Sequence, residues 1–191
     1  MVGLFFGTFN PIHIGHLALA NYMLEFTEMK EVWFVVSPQN PLKKRSNLLD
    51  DYQRLEMVHL AVDDFHQFKV SDIEFSLPKP SYTTKTLAVL KEKYPEKEFS
   101  IIMGEDNIKT IHKWKNYEYL LDNYKVFVYP RFVEETADLK ETPHPNIIMT
   151  KAPSIQISSS FIRKAIKENK DVRFFLPEKV YNFIDEMNFY R

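Results

Sequence analysis

Two short stretches, far apart in the chain, hold most of the side chains whose types and spacing can do chemistry. The first is GTFNPIHIGH, residues 7–16, which carries two of the chain's four glycines and two histidines three positions apart. Gly7 has no Cβ and lets backbone N–H groups approach a ligand, Thr8 adds a hydroxyl, and Pro11 stiffens the turn. Where such a turn enters a helix, free N–H groups and the positive end of the macrodipole attract phosphate. His13 and His16 at that point can donate hydrogen bonds to phosphoryl oxygens and stabilise charge during transfer. Two other readings stay open, a histidine serving as helix cap and a metal-binding pair. With no third ligand nearby and a glycine-bearing loop, phosphate chemistry ranks first.

The second stretch is ISSSFIR, residues 157–163. Serines before an apolar helix ordinarily cap its free N–H groups, but three exceed what capping requires. Arg163 and Lys164 follow within about a turn, where cations oppose the helix dipole. An anion between the serines and Arg163 relieves that conflict and makes a bidentate phosphate clamp. Capping plus solvated basic residues is the plainer alternative.

Composition narrows the field. The chain has 191 residues, no cysteine, 45% hydrophobic residues and a formal charge of −1. Disulfides, thiolate metal sites and thiolate catalysis are excluded. The near-neutral charge gives no general attraction to nucleic acid or an anionic membrane, so positive groups must be arranged locally for any anionic partner. No P-loop, G-x-G-x-x-G fingerprint or G-x-S-x-G elbow is present. The first residues lack the basic region of a signal peptide, and no window approaches the ~18 apolar residues of a membrane span. The expectation is a cytoplasmic protein with no nucleic-acid or membrane partner, as a monomer or a homo-oligomer.

The elements that must position these motifs alternate. Strands are expected at 2–6, 31–37, 68–75, 98–104, 124–130 and 146–153. Helices are expected at 16–26, with Leu17, Ala20 and Leu24 on one face, at 50–62 with Asp50 or Asp51 as cap, and at 83–94. Residues 158–187 read as two further helices, the second begun near Pro177. Strand–helix alternation implies an α/β fold, a Rossmann-like parallel sheet flanked by helices, with a C-terminal helical extension. The whole of 1–191 is expected to form a single domain. In such sheets ligands sit beyond the carboxyl ends of the strands, and four polar or glycine-bearing loops (7–16, 37–45, 78–84 and 104–107) follow strand ends.

Taken together, GTFNPIHIGH and ISSSFIR resemble the nucleotidyltransferase superfamily marked by HxGH and ISSxxIR sequences. Within it the chain is most similar to the bacterial nicotinate-nucleotide adenylyltransferases, through SPQNPLKK, DDYQRLEMV, SYTTKTL, GEDN, HKW and LPEKVYNFI. The resemblance implies adenylyl transfer from ATP, with Mg²⁺, to nicotinate mononucleotide. His13, His16 and Arg163 match the catalytic positions. Gly7, Thr8, Phe9, Gly104, Asp106, Ser158 and Ser159 match positions that bind ATP, together with His16 and Arg163. Lys43, Tyr82, Thr83 and Trp114 match the acceptor side, with Trp114 stacking on the nicotinate ring. No protein-held metal is implied. Plainer roles stand beside these: Trp114 as core filler, Asp106 as a helix cap, and Lys43, Lys44 and Arg45 as a solvated loop. Phosphopantetheine adenylyltransferases, cytidylyltransferases and a non-catalytic nucleotide-binding regulator remain alternatives.

The chain departs from the family pattern at four places. Phe6 stands where a second glycine is frequent, Asn10 where aspartate is common, and Leu42 where histidine is frequent. Lys115 replaces a common aromatic residue, and it reads either as a hold on a substrate carboxylate or as a solvent-facing lysine.

Overall fold

The computed structural model describes residues 1–38, 48–131 and 144–191. The positions Leu42, Lys43, Lys44 and Arg45 lie outside them. Six strands run β1 (Val2–Gly7), β2 (Glu31–Val36), β3 (Phe68–Ser71), β4 (Phe99–Gly104), β5 (Val126–Tyr129) and β6 (Ile147–Met149). All neighbouring strands pair in parallel, in the order β3-β2-β1-β4-β5-β6. The winding therefore reverses between β1 and β4, and a crevice opens beyond their carboxyl ends.

The period-two pleat splits the strand residues between two apolar clusters. Phe5, Phe34, Val36, Ile102 and Phe127 face one side. They pack on α1 (Ile14–Phe26), α2 (Asp51–Val62), α6 (Ser159–Lys167) and α7 (Glu178–Glu186). Leu4, Trp33, Val35, Ile101 and Val128 face the other side. They meet α3 (Thr83–Lys93) and α5 (Tyr117–Asn123) through Leu87, Leu90, Leu120 and Leu121. Near-continuous apolar strands such as EVWFVV follow from burial on both faces. A one-turn helix, α4 (Glu105–Ile108), leaves β4 directly.

Four expectations need correction, the simplest being the sixth strand, which spans Ile147–Met149 rather than 146–153. The segment 68–75 is not one strand: it ends at Ser71, and Ile73–Ser76 winds into a 3-10 turn. Winding turns Glu74 inward, where the hydroxyls of Ser81 and Thr86 donate to its carboxylate at 2.9 and 2.8 Å. Helix α1 starts at Ile14 rather than residue 16, because the His13 carbonyl already accepts from the N–H of His16 at 2.9 Å. Its buried face is Gly15, Leu19, Ala20 and Met23, not the stripe of Leu17, Ala20 and Leu24. Helix α2 begins as expected, with the Asp50 carboxylate accepting from the Tyr52 N–H at 2.9 Å.

Phe34 is fully buried between rings of Phe5, Phe9 and Phe68. Phe34→Ala is expected to cost about 3–5 kcal/mol. Urea denaturation should show a lowered midpoint with an unchanged slope.

Candidate active site

The crevice at the reversal point is a cavity of about 890 Å³, and both sequence motifs line it. Its floor is the loop that leaves β1, whose carbonyls are held from three directions. Arg54, fully buried on α2, donates from Nη1 to the carbonyls of Thr8 at 2.6 Å and Ser37 at 2.9 Å. Its Nη2 donates to the Pro38 carbonyl at 3.3 Å and to the Asp51 carboxylate at 2.6 Å, and its Nε to the Leu49 carbonyl at 3.1 Å. Arg163 Nη1 donates to the Asn10 carbonyl at 2.7 Å, and the Ser159 hydroxyl donates to the Pro11 carbonyl at 2.8 Å. The Asn10 side chain accepts from the Tyr190 hydroxyl at 2.8 Å and the Leu49 N–H at 3.3 Å. So anchored, the loop carries Phe9 in the left-handed region at φ 44°, a conformation non-glycine residues hold only where surroundings enforce it.

The two glycines of the first motif make room for rings. A Cβ on Gly7 would lie 2.8 Å from the Phe9 ring, and one on Gly15 would lie 3.1 Å from the His13 ring. His13 and His16 stack with centroids 3.8 Å apart and planes tilted by 30°. The edges of Phe5 and Phe9 press on His16 at 5.9 and 5.2 Å. Burial, with Arg131 adding its charge, lowers the His13 pKa from 6.5 to about 4. Burial, then His13, then Arg131 hold His16 well below its ordinary value. Both rings are neutral at pH 7. The backbone N–H of His13 donates to His16 Nδ1 at 3.2 Å, so the neutral ring carries its proton on Nε2. His13 Nδ1 is buried without a partner among the described residues.

The second motif starts α6. Ser158 is its cap, accepting from the Phe161 N–H at 3.1 Å. Ser160 accepts from Arg163 Nη2 at 3.3 Å. One serine caps, one grips the first loop and one steadies the arginine. The three hydroxyls thus have separate work, and the two motifs join through Ser159 and Arg163.

On the opposite wall, Gly104 precedes α4 and Asp106 lies in its first turn, so Gly104 rather than Asp106 is the cap residue. The Asp106 carboxylate accepts from Arg131 Nη1 at 3.1 Å, and a Cβ on Gly104 would lie 2.5 Å from Asp106 Oδ1. Tyr82 caps α3 in extended conformation with no side-chain hydrogen bond, leaving the helix's first N–H groups beside it uncapped. Trp114 packs on the second apolar cluster and also lines the cavity, while its indole N–H is buried with no partner among the described residues. It fills core and forms a wall at once. Phe6 packs on that same cluster and borders the cavity.

Of the residues picked out in the sequence, Gly7, Thr8, Phe9, His13, His16, Tyr82, Thr83, Gly104, Asp106, Trp114, Ser158, Ser159 and Arg163 all line this one cavity. Lys43 lies outside the described residues. Three lining or supporting residues escaped sequence reasoning: Arg54, Glu74 and Arg131. Arg131 follows β5, so the rule about strand ends, applied to the fifth strand, points to it. Arg54 and Glu74 gave no such signal, since a charged residue on an amphipathic segment normally faces water.

No group of three or more His, Asp or Glu side chains able to hold a metal ion occurs among the described residues. Among the described residues, the carboxylates lining the cavity are Glu74 and Asp106, each already engaged. These donors do not make a protein cage for Mg²⁺. No helix among the described residues is long and apolar enough to cross a membrane.

The pattern of the cytidylyltransferase-like family matches residues 4–165. A Flavobacterium johnsoniae protein described as a probable nicotinate-nucleotide adenylyltransferase is 56% identical over 190 residues, covering 100% of this chain and 98% of that one. A Bacteroides thetaiotaomicron protein of the same description is 47% identical, covering 96% and 90%. The Plasmodium falciparum nicotinic acid mononucleotide adenylyltransferase complexed with NaAD superposes with a TM-score of 0.80 at 22% identity, covering 99% of this chain and 96% of that one. That structure supports the fold.

The lowered His13 pKa carries a sign. Between about 4 and 6.5 the unfolded chain binds this proton more readily than the folded one, so stability falls as pH drops through that window. Melting temperature measured from pH 7.5 to 4.5 should decline, and His13→Gln should flatten the decline. An identical slope in the variant would contradict the burial of a neutral His13.

Proposed function

The chain belongs to the cytidylyltransferase-like family and to its nicotinate-nucleotide adenylyltransferases, and on that premise we propose how it transfers the adenylyl group of ATP to nicotinate mononucleotide. The observation that carries the reading is that HxGH and ISSSFIR, distant in sequence, are hydrogen-bonded into one cavity whose other end is aromatic. The phosphates occupy the first end and the nicotinate ring the second.

A 5′-phosphate oxygen of nicotinate mononucleotide attacks the α-phosphorus, and pyrophosphate leaves from the opposite side. The attacking oxygen is already anionic at neutral pH, so no strong base is needed, and alignment with charge stabilisation supplies the rate. His16 donates from Nε2 and His13 stands beside it against the phosphoryl oxygens. The rings are neutral because burial disfavours the cation, with His13 adding to this for His16 and Arg131 for both. Arrival of the triphosphate reverses that balance, so the imidazoles gain proton affinity where negative charge develops.

The Arg163 guanidinium, held by Nη1 on Asn10 and by Nη2 on Ser160, directs its remaining N–H groups to the β- and γ-phosphates. Ser158 and Ser159 hold the start of α6 for the same anion. Gly7, Thr8 and Phe9 receive the nucleotide through the backbone. Asp106 binds a ribose hydroxyl through Oδ1 while Oδ2 keeps Arg131 in place. Mg²⁺ enters with ATP on phosphate oxygens, as part of the substrate. The ring carboxylate meets the uncapped start of α3 at Tyr82 and Thr83, with Trp114 against the ring.

Pyrophosphate release with ATP against nicotinate mononucleotide, nicotinamide mononucleotide and phosphopantetheine tests the reading. Release is expected with nicotinate mononucleotide first, and release with phosphopantetheine alone would overturn the acceptor. His16→Ala should lower kcat roughly 10²–10³-fold. Near-normal turnover at saturating substrate would remove His16 from the chemistry.

A further inference from the structure

At the aromatic end of the cavity stands Lys115, which the sequence leaves between a hold on a substrate carboxylate and a solvent-facing lysine. Lys115 lies in the connector between the 3-10 turn Ile111–Lys113 and α5, directly after Trp114. Its ammonium sits 4.8 Å from the centroid of the Tyr82 ring, reaching from that connector to the residue that begins α3. A contact of this kind fixes an ammonium loosely without neutralising it. Lys115 forms no ion pair among the described residues, although both carboxylates of the cavity wall are engaged elsewhere, Glu74 by Ser81 and Thr86 and Asp106 by Arg131.

Lys113, just before Trp114, also lines the cavity, but only Lys115 has its ammonium against the Tyr82 ring among the described residues. Beside them stand uncharged donors, the first N–H groups of α3 and the indole N–H of Trp114. Uncharged donors can donate to a carboxamide oxygen as well as to a carboxylate, with the carboxylate favoured by its charge. A positive charge widens that difference, because only the carboxylate pairs with it. We propose that Lys115 favours an acceptor whose ring carries a carboxylate, so that it strengthens the separation of nicotinate from nicotinamide mononucleotide. The inference rests on the proposed acceptor and adds the group that specifies it. Because Lys115 is exposed at the rim, its contribution is of the modest order expected for a partly solvated charged hydrogen bond, about tenfold in discrimination.

The test is kcat/KM for both mononucleotides with wild type, Lys115→Gln and Lys115→Arg. In Lys115→Gln the nicotinate-to-nicotinamide ratio should fall about tenfold. The loss should lie in KM for nicotinate mononucleotide, with KM for ATP unchanged, and Lys115→Arg should retain most of the ratio. High salt should lower the wild-type ratio and leave that of Lys115→Gln unaltered. If wild type prefers nicotinate mononucleotide and Lys115→Gln keeps the same ratio, Lys115 is not the selector and the functional reading survives. Equal losses on both acceptors would also overturn the inference, by showing a merely structural role. A wild-type enzyme inactive with both mononucleotides would overturn the functional reading and this inference together.

Discussion

The site depends on a buried guanidinium. Arg54 has no exposure to solvent, and a charge so placed costs several kcal/mol unless every donor is satisfied. Four backbone carbonyls and the Asp51 carboxylate satisfy it. Those carbonyls come from the loop after β1, the end of β2 and the approach to α2, so one side chain ties three segments at the mouth of the crevice. Removing the guanidinium would leave four carbonyls without partners. The loop cannot drift while that arrangement holds.

With the loop fixed from beneath by Arg54, the start of α6 holds it from the side through Ser159 and Arg163. The left-handed Phe9 and the stacked histidines are consequences of this double anchoring. Phe9 folds its ring against Gly7, where a Cβ would collide at 2.8 Å, and His13 folds its ring against Gly15, where a Cβ would crowd it at 3.1 Å. Packing against Phe5 and Phe9 then buries His16, and burial keeps the pair uncharged. Neutral rings avoid burying like charges 3.8 Å apart.

Much of this was legible in the sequence because apolar strands alternate with helices and because unusual residues follow the strand ends. β1, β2 and β4 match their expected bounds to within a residue or so, since burial on both faces leaves an unbroken apolar run. The third strand was drawn too long because DIEF keeps an apolar alternation while its backbone winds, and the cause is the capture of Glu74 by Ser81 and Thr86, contacts that no local pattern encodes. The buried stripe of α1 was misplaced for a similar reason: starting the helix at Ile14 rotates which residues face the sheet. For Gly7 the sequence suggests ligand access, and the structure adds that Gly7 and Gly15 also make space for neighbouring rings. Arg54 acts through carbonyls distant in the chain that only the fold brings to it, whereas Arg131 follows a strand end, where the same rule leads.

The central claim is direct displacement at the α-phosphorus in a cavity that supplies alignment and hydrogen-bond donors rather than a nucleophile. The measurement that tests it most directly is the stereochemical course with a single diastereomer of ATP sulfur-substituted at the α-phosphorus, reacted with nicotinate mononucleotide and read by ³¹P NMR of the dinucleotide. Inversion is the predicted result, since one in-line displacement inverts the centre. Retention would contradict the account, because it requires two displacements and therefore a covalent intermediate on a side chain such as His13.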